Sequence, residues 1–150
     1  MTNINGKTLY GRDADTKVVD AFINGKYTRR EKHVSKRDTV FVHMDGAKWY
    51  KLWNTTLVKK LTDGRIWIYI TDNSDMDDVY YHGWYGRSRE VAMTQTTKNR
   101  LNAFLDYYGF NSLEVHSSQK LFGVWYNGKE LENNTWYELD MGKKELVKID

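Results

Sequence analysis

The stretch Thr39–Ile70, TVFVHMDGAKWYKLWNTTLVKKLTDGRIWIYI, holds the alternation on which the fold turns. Val40, Val42 and Met44 fall on one side of an extended chain. Asp45–Gly46 supplies a tight turn, and Ala47 to Trp53 returns as a second strand. The pattern then repeats: Thr56 to Leu61 meets Asp63–Gly64 and continues as Arg65 to Ile70, whose isoleucines share one face while Trp67 and Tyr69 share the other. Two hairpins are predicted. Both faces of the last strand are apolar, so it reads as a central strand covered on both sides, with a helix packed across it.

Outward from this stretch, Val18, Val19, Phe22 and Ile23 lie on one helical stripe. They predict a short helix over 13–23, with Asp13 or Asp15 as N-cap and Asn24–Gly25 as its stop. Leu101, Phe104, Leu105 and Tyr108 predict a second helix capped by Thr96 or Thr97. Gly109 ends it, with Phe110 placed for the apolar contact of a Schellman-type terminus. Leu113 to His116, Lys120 to Tyr126, the Asn127–Gly128 turn and Trp136 to Leu139 read as further short strands. No internal repeat or Gly/Ser linker divides the chain. The expectation is one α+β domain over 1–150: a mostly antiparallel sheet of short hairpins with two short helices.

Composition narrows the chemistry. Of 150 residues, 40% are hydrophobic and 29% charged, enough apolar surface to offset chain entropy. Proline is absent, so Gly, Asn and Asp make the turns. The absence of cysteine removes disulfides, thiolate zinc sites and thiol nucleophiles. No apolar run approaches the roughly 20 residues of a membrane helix, and Met1 to Lys7 lacks an apolar leader. A soluble protein of the cytoplasm is expected. His33, His43, His82 and His116 are scattered singly, so no metal is expected, and no nucleotide-loop, nucleophile-elbow or dinucleotide motif is present. No cofactor is implied. A pair such as His82 with Asp77 has no support from spacing.

Charge is unevenly spread. The arm from 26 to 37 carries Lys26, Arg29, Arg30, Lys32, Lys36 and Arg37 against Glu31 alone, while the whole chain is only +3. Such a segment reads either as a solvated loop or as a local positive field that tracks a phosphate backbone, with Tyr27 available to stack on a base. At the start of the second helix, Lys98 and Arg100 oppose the preference of the helix dipole for acids. With Thr97 and the free backbone N–H groups they form a candidate anion site, unless both side chains simply face water. Residues 71–78 form an acidic loop with Asp72, Asp75, Asp77 and Asp78. Tyr81, Trp84 and Tyr85, with Arg87 and Arg89 beside them, have the composition of an aromatic contact surface or of core packing.

In chain order, the following segments resemble a family of small uncharacterised bacteriophage accessory proteins: Ala21-Phe22-Ile23-Asn24-Gly25-Lys26, a strand pair near Phe41-Val42-His43, Gly83-Trp84, Thr96-Thr97-Lys98-Asn99-Arg100-Leu101-Asn102 and Gly123-Val124-Trp125-Tyr126-Asn127-Gly128-Lys129-Glu130. The Gly-Trp followed by Thr-Thr-Lys-x-Arg-Leu-Asn is the specific part, and Tyr85 to Gln95 stands between its halves as an insertion. The resemblance implies a phage or prophage origin, action in the bacterial cytosol and a compact α+β domain. It implies no known activity. The leading expectation is therefore a non-enzymatic phage accessory protein. It would bind nucleic acid or a host nucleic-acid-handling defence complex, such as a restriction or CRISPR effector, and would not bind a membrane. A small-molecule binder that sequesters a nucleotide signal is the alternative, and a small enzyme the second alternative.

Overall fold

The hairpins expected between residues 39 and 70 form the middle of a seven-stranded antiparallel sheet in the computed structural model, which describes residues 1–72 and 91–150. In chain order the described elements are β1 (Thr2–Ile4), β2 (Lys7–Leu9), α1 (Asp13–Asn24), β3 (Lys32–His33), β4 (Asp38–Val42), β5 (Lys48–Leu52), β6 (Thr55–Lys60) and β7 (Ile66–Ile70). After these come α2 (Gln95–Tyr107), β8 (Glu114–Ser117), β9 (Phe122–Tyr126), β10 (Lys129–Leu131), β11 (Thr135–Asp140) and β12 (Glu145–Lys148). The large sheet runs β12-β11-β7-β6-β5-β4-β3, and β10-β9-β8 form a second, three-stranded sheet. The fold is α+β. Among the described residues, no helix is long and apolar enough to cross a membrane.

Both helices among the described residues lie on one face of the large sheet. Ile66, Ile68 and Ile70 of β7 are buried with Val40, Tyr50 and Val58 in the same cluster as Val18, Val19 and Phe22 of α1 and Leu101, Phe104 and Leu105 of α2. Phe104 is central, set edge-on to Phe22 at 5.3 Å between ring centroids and tilted against Tyr50 at 5.5 Å. The small sheet joins this core through Val124, Tyr126 and Leu131. Tyr126 accepts the Asn111 N–H and donates to the Lys144 carbonyl, tying β9 to the end of α2 and to the β11–β12 turn.

As expected, β7 is central with helices packed across it, and among the described residues both helices cover the isoleucine face. The tryptophan and tyrosine sit half-buried on the opposite face, where their ring contacts are with Trp136. Several local expectations shift. The residue flanking α1 is Arg12, with no side-chain cap, while Asp13 and Asp15 occupy the first turn, where the dipole favours acids. Helix α2 begins earlier than expected, with Thr94 as its cap, the hydroxyl accepting the Thr97 N–H at 3.4 Å. Its other end is as expected: the Gly109 N–H reaches the Asp106 carbonyl and the Phe110 N–H the Leu105 carbonyl, with Gly109 at φ +81°. The unexpected hairpin β1–β2 turns on Asn5 and Gly6, both at positive φ.

A basic cleft over a buried arginine and two carboxylates

Helical phase and the cap position together place Arg100: four residues before Phe104, it lies on the core-facing stripe of α2. With Thr94 rather than Thr96 or Thr97 at the boundary, Arg100 falls in the second turn, on the side facing α1 and β4. There it is only 4% exposed. Its Nε donates to Asp38 Oδ1 at 2.9 Å and its Nη2 to Asp38 Oδ2 at 3.0 Å, a two-pronged pairing, while Nη1 donates to Asp15 Oδ1. Asp15 also accepts from Arg12 Nε at 3.1 Å. Asp38 accepts two further bonds, from Ser35 Oγ at 2.6 Å and from the Tyr50 hydroxyl. One guanidinium thus joins α2 to β4 and α1, and Asp38 draws in β5 through the Tyr50 hydroxyl.

The electrostatics follow from these contacts. Burial works against the Asp38 charge, but the hydrogen bonds from Arg100, Ser35 and Tyr50 and the Arg100 charge outweigh it, so its pKa lies below the usual carboxylate range. Burial, reinforced by the Asp38 charge, pushes the Tyr50 hydroxyl well above its ordinary value. Arg100 is raised: burial opposes its charge, and the bonds and charge of Asp38 override it. With four donors on one buried carboxylate, Asp38 has no lone pair left for a substrate and is a weak base. The network is a scaffold.

Above it lies a cleft of about 590 Å³ between α1, the β3–β4 connection and α2. Arg12 and Lys17 line one side, Lys36 and Arg37 the other, and Asp38, Thr96 and Arg100 form the floor. Lys17 and Lys36 are exposed and have no ion-pair partner among the described residues. The paired floor matters to the rim: Arg100 neutralises Asp38, so that carboxylate does not cancel the surrounding positive charge.

The structure redistributes the expected site residues. Lys36 and Arg37 come from the arm to the cleft; Lys26, Arg29, Arg30 and Lys32 stay exposed elsewhere, and Glu31 pairs with Lys51 at 2.6 Å. The arm is not wholly a loop, since β3 pairs with β4 as the short edge of the sheet. Tyr27 is not a stacking ring: half-buried against the core, it donates its hydroxyl to the Phe22 carbonyl at 3.1 Å and carries Lys48 over its face. Thr97, Lys98 and Arg100 do not form one anion site. Arg100 is committed to Asp38 and Asp15, Thr97 is fully buried beneath Thr94, and Lys98 lines a separate cleft with Met93, Gln95 and Ser117. Tyr81, Trp84, Tyr85, Arg87, Arg89, His82 and the acidic loop beyond Asp72 lie outside the described residues. Arg12 and Lys17 are additions; their signal is the polar side of α1, opposite Val18, Val19 and Phe22, masked in a charge count by Asp13, Asp15 and Asp20. Among the described residues, no group of three or more His, Asp or Glu side chains could hold a metal ion.

Compared with known protein families, curated proteins and solved structures, the chain matches none.

Proposed function

We propose that the protein binds nucleic acid without chemistry, holding phosphates along the cleft between α1 and the basic arm. One observation carries this reading: two segments distant in sequence, Arg12–Lys17 and Lys36–Arg37, bring four cations to one cleft, where Arg100 and Arg12 offset the two buried carboxylates and leave a positive excess. The resemblance to bacteriophage accessory proteins supplies the setting. There the target is nucleic acid itself, or a host defence complex carrying it, in the bacterial cytosol. The cleft is also large enough for a nucleotide, but no aromatic side chain is among its described lining residues to stack on a base, so phosphate contact is the better supported mode.

Phosphate contacts from Lys17 and Lys36, the two exposed cations of the cleft without a partner among the described residues, would give a slope of log affinity against log salt of about −1.5 to −2, or about a tenfold loss between roughly 50 and 200 mM salt. Anisotropy titrations with labelled oligonucleotides measure it, and the double variant Lys17→Glu/Lys36→Glu should weaken binding across all sequences alike. A flat salt response, or unchanged affinity in that variant, refutes the reading. For a nucleic-acid-bearing complex, a pull-down repeated after nuclease treatment shows whether the captured partner depends on its nucleic acid.

A further inference from the structure

The face of the large sheet turned away from the helices carries a second arrangement, unrelated to the cleft. Register places Trp67 of β7, Lys59 of β6, Trp49 of β5 and Phe41 of β4 as direct cross-strand neighbours, a row across four adjacent strands. Trp136 of β11 stands beside it, paired with Tyr69. The Lys59 ammonium touches two indoles at once, 4.5 Å from the Trp49 centroid and 4.4 Å from that of Trp136. The other flank of Trp49 already holds a flat heterocycle: the His43 imidazole is stacked on it at 3.9 Å and 3°.

Two donors in this row lack acceptors. Lys59 forms no ion pair among the described residues, and burial lowers the pKa of its ammonium, with Asp45 opposing weakly. The neighbouring carboxylates are engaged. Glu138 accepts from Trp67 and Arg65, Glu31 from Lys51, and Asp45 sits against His43. The Trp49 Nε1–H is buried with no hydrogen-bond partner among the described residues. An unpaired cation and an orphaned donor, set among aromatic rings, are complemented by a ligand that joins an anion to a flat ring bearing acceptors. A nucleotide unit has that composition, and an apolar peptide does not.

We propose that this row binds single-stranded nucleic acid, an unpaired base entering between the Trp49 and Trp136 indoles as Lys59 swings out to the adjoining phosphate. The exchange is balanced. The base takes the ring faces the ammonium leaves, the ammonium regains a charged partner, and the shift of the rings opens the Trp49 Nε1–H to a base carbonyl. Duplex DNA, with its bases already stacked, cannot make it. The inference extends the nucleic-acid reading to a surface distinct from the cleft.

The test uses the full chain with a short oligothymidylate, the matching duplex, and the same backbone made abasic, followed by tryptophan quenching and anisotropy. The single strand should quench and should bind well above both controls. Trp136→Ala should weaken it about tenfold, and Trp136→Phe should restore most of the loss. Photo-crosslinking of a bromouracil-substituted strand to the unmodified protein should map to 48–60 or 135–140, a readout independent of how the variants fold. Equal binding of the abasic strand, crosslinks confined elsewhere, or an unaltered Trp136→Ala overturns the proposal. If the Lys17→Glu/Lys36→Glu variant alone abolishes binding, the row fails and the cleft stands; if Trp136→Ala alone does so, the cleft fails and the row stands. If no oligonucleotide binds, both fall.

Discussion

Replacing Arg100 by Met removes the three hydrogen bonds that hold Asp38 and Asp15 in the interior, at a site where Arg100 is 4% exposed and Asp38 fully buried. Asp38 would keep only Ser35 and Tyr50, and Asp15 only Arg12. Breaking a buried pair by removing one partner costs about 3–5 kcal/mol, because a charge stays in the interior uncompensated. For a chain of 150 residues that corresponds to a fall in Tm of about 6–20 °C, at roughly 2–4 °C per kcal/mol. Thermal and urea unfolding at neutral pH measure it. The pH dependence gives an independent reading. In the parent protein the Asp38 pKa is depressed, so its contribution is present above the unfolded carboxyl value and is lost as pH falls through the lowered one. In the variant, burial without the guanidinium raises that pKa, the folded state takes up the proton, and stability is recovered as pH falls. The gap between the two proteins should therefore narrow from pH 7 towards about pH 4. A cost below about 1 kcal/mol, the worth of an exposed pair, or a gap independent of pH would refute the reasoning.

Tyr50→Phe deletes one donor to the same carboxylate and should cost about 1.5–3 kcal/mol in urea unfolding; a neutral effect would mean the hydroxyl does not stabilise the charge. Thr94→Ala should destabilise by about 0.5–2 kcal/mol while Thr96→Ala, off the cap, changes little; the reverse order would put the start of α2 two residues later. Glu31→Gln frees Lys51 at the surface and should alter stability by less than about 1 kcal/mol, checked in the same assay.

The strands between 39 and 70 were legible because their period of two is interrupted at Asp45–Gly46 and Asp63–Gly64, where the chain does turn. Hairpin β1–β2 was not, although Asn5–Gly6 marks its turn, because three residues on either side are too few to show a period. For Trp67 and Tyr69 the expected shielding is present, but what provides it was not legible. An apolar residue on the second face of a strand asks for cover, but the pattern cannot say whether a helix provides it or whether rings and lysine stems from neighbouring strands shield one another. Arg100 was legible as a cation but not as a buried one: four residues before Phe104 it lies on the core-facing stripe of α2, where a guanidinium is accommodated only because Asp38 and Asp15 arrive from elsewhere in the chain. Of the cleft, the cations of the arm were visible as a cluster, whereas Arg12 and Lys17 join them only through folding.

Arg100 reaches Asp38 across 62 residues of chain and Asp15 across 85. Its three hydrogen bonds therefore clasp segments that the chain by itself leaves far apart. The walls of the cleft stay in register for as long as this clasp holds, so their backbone needs no rearrangement at each encounter with a ligand, and only exposed side chains such as Lys17 and Lys36 remain to be ordered there.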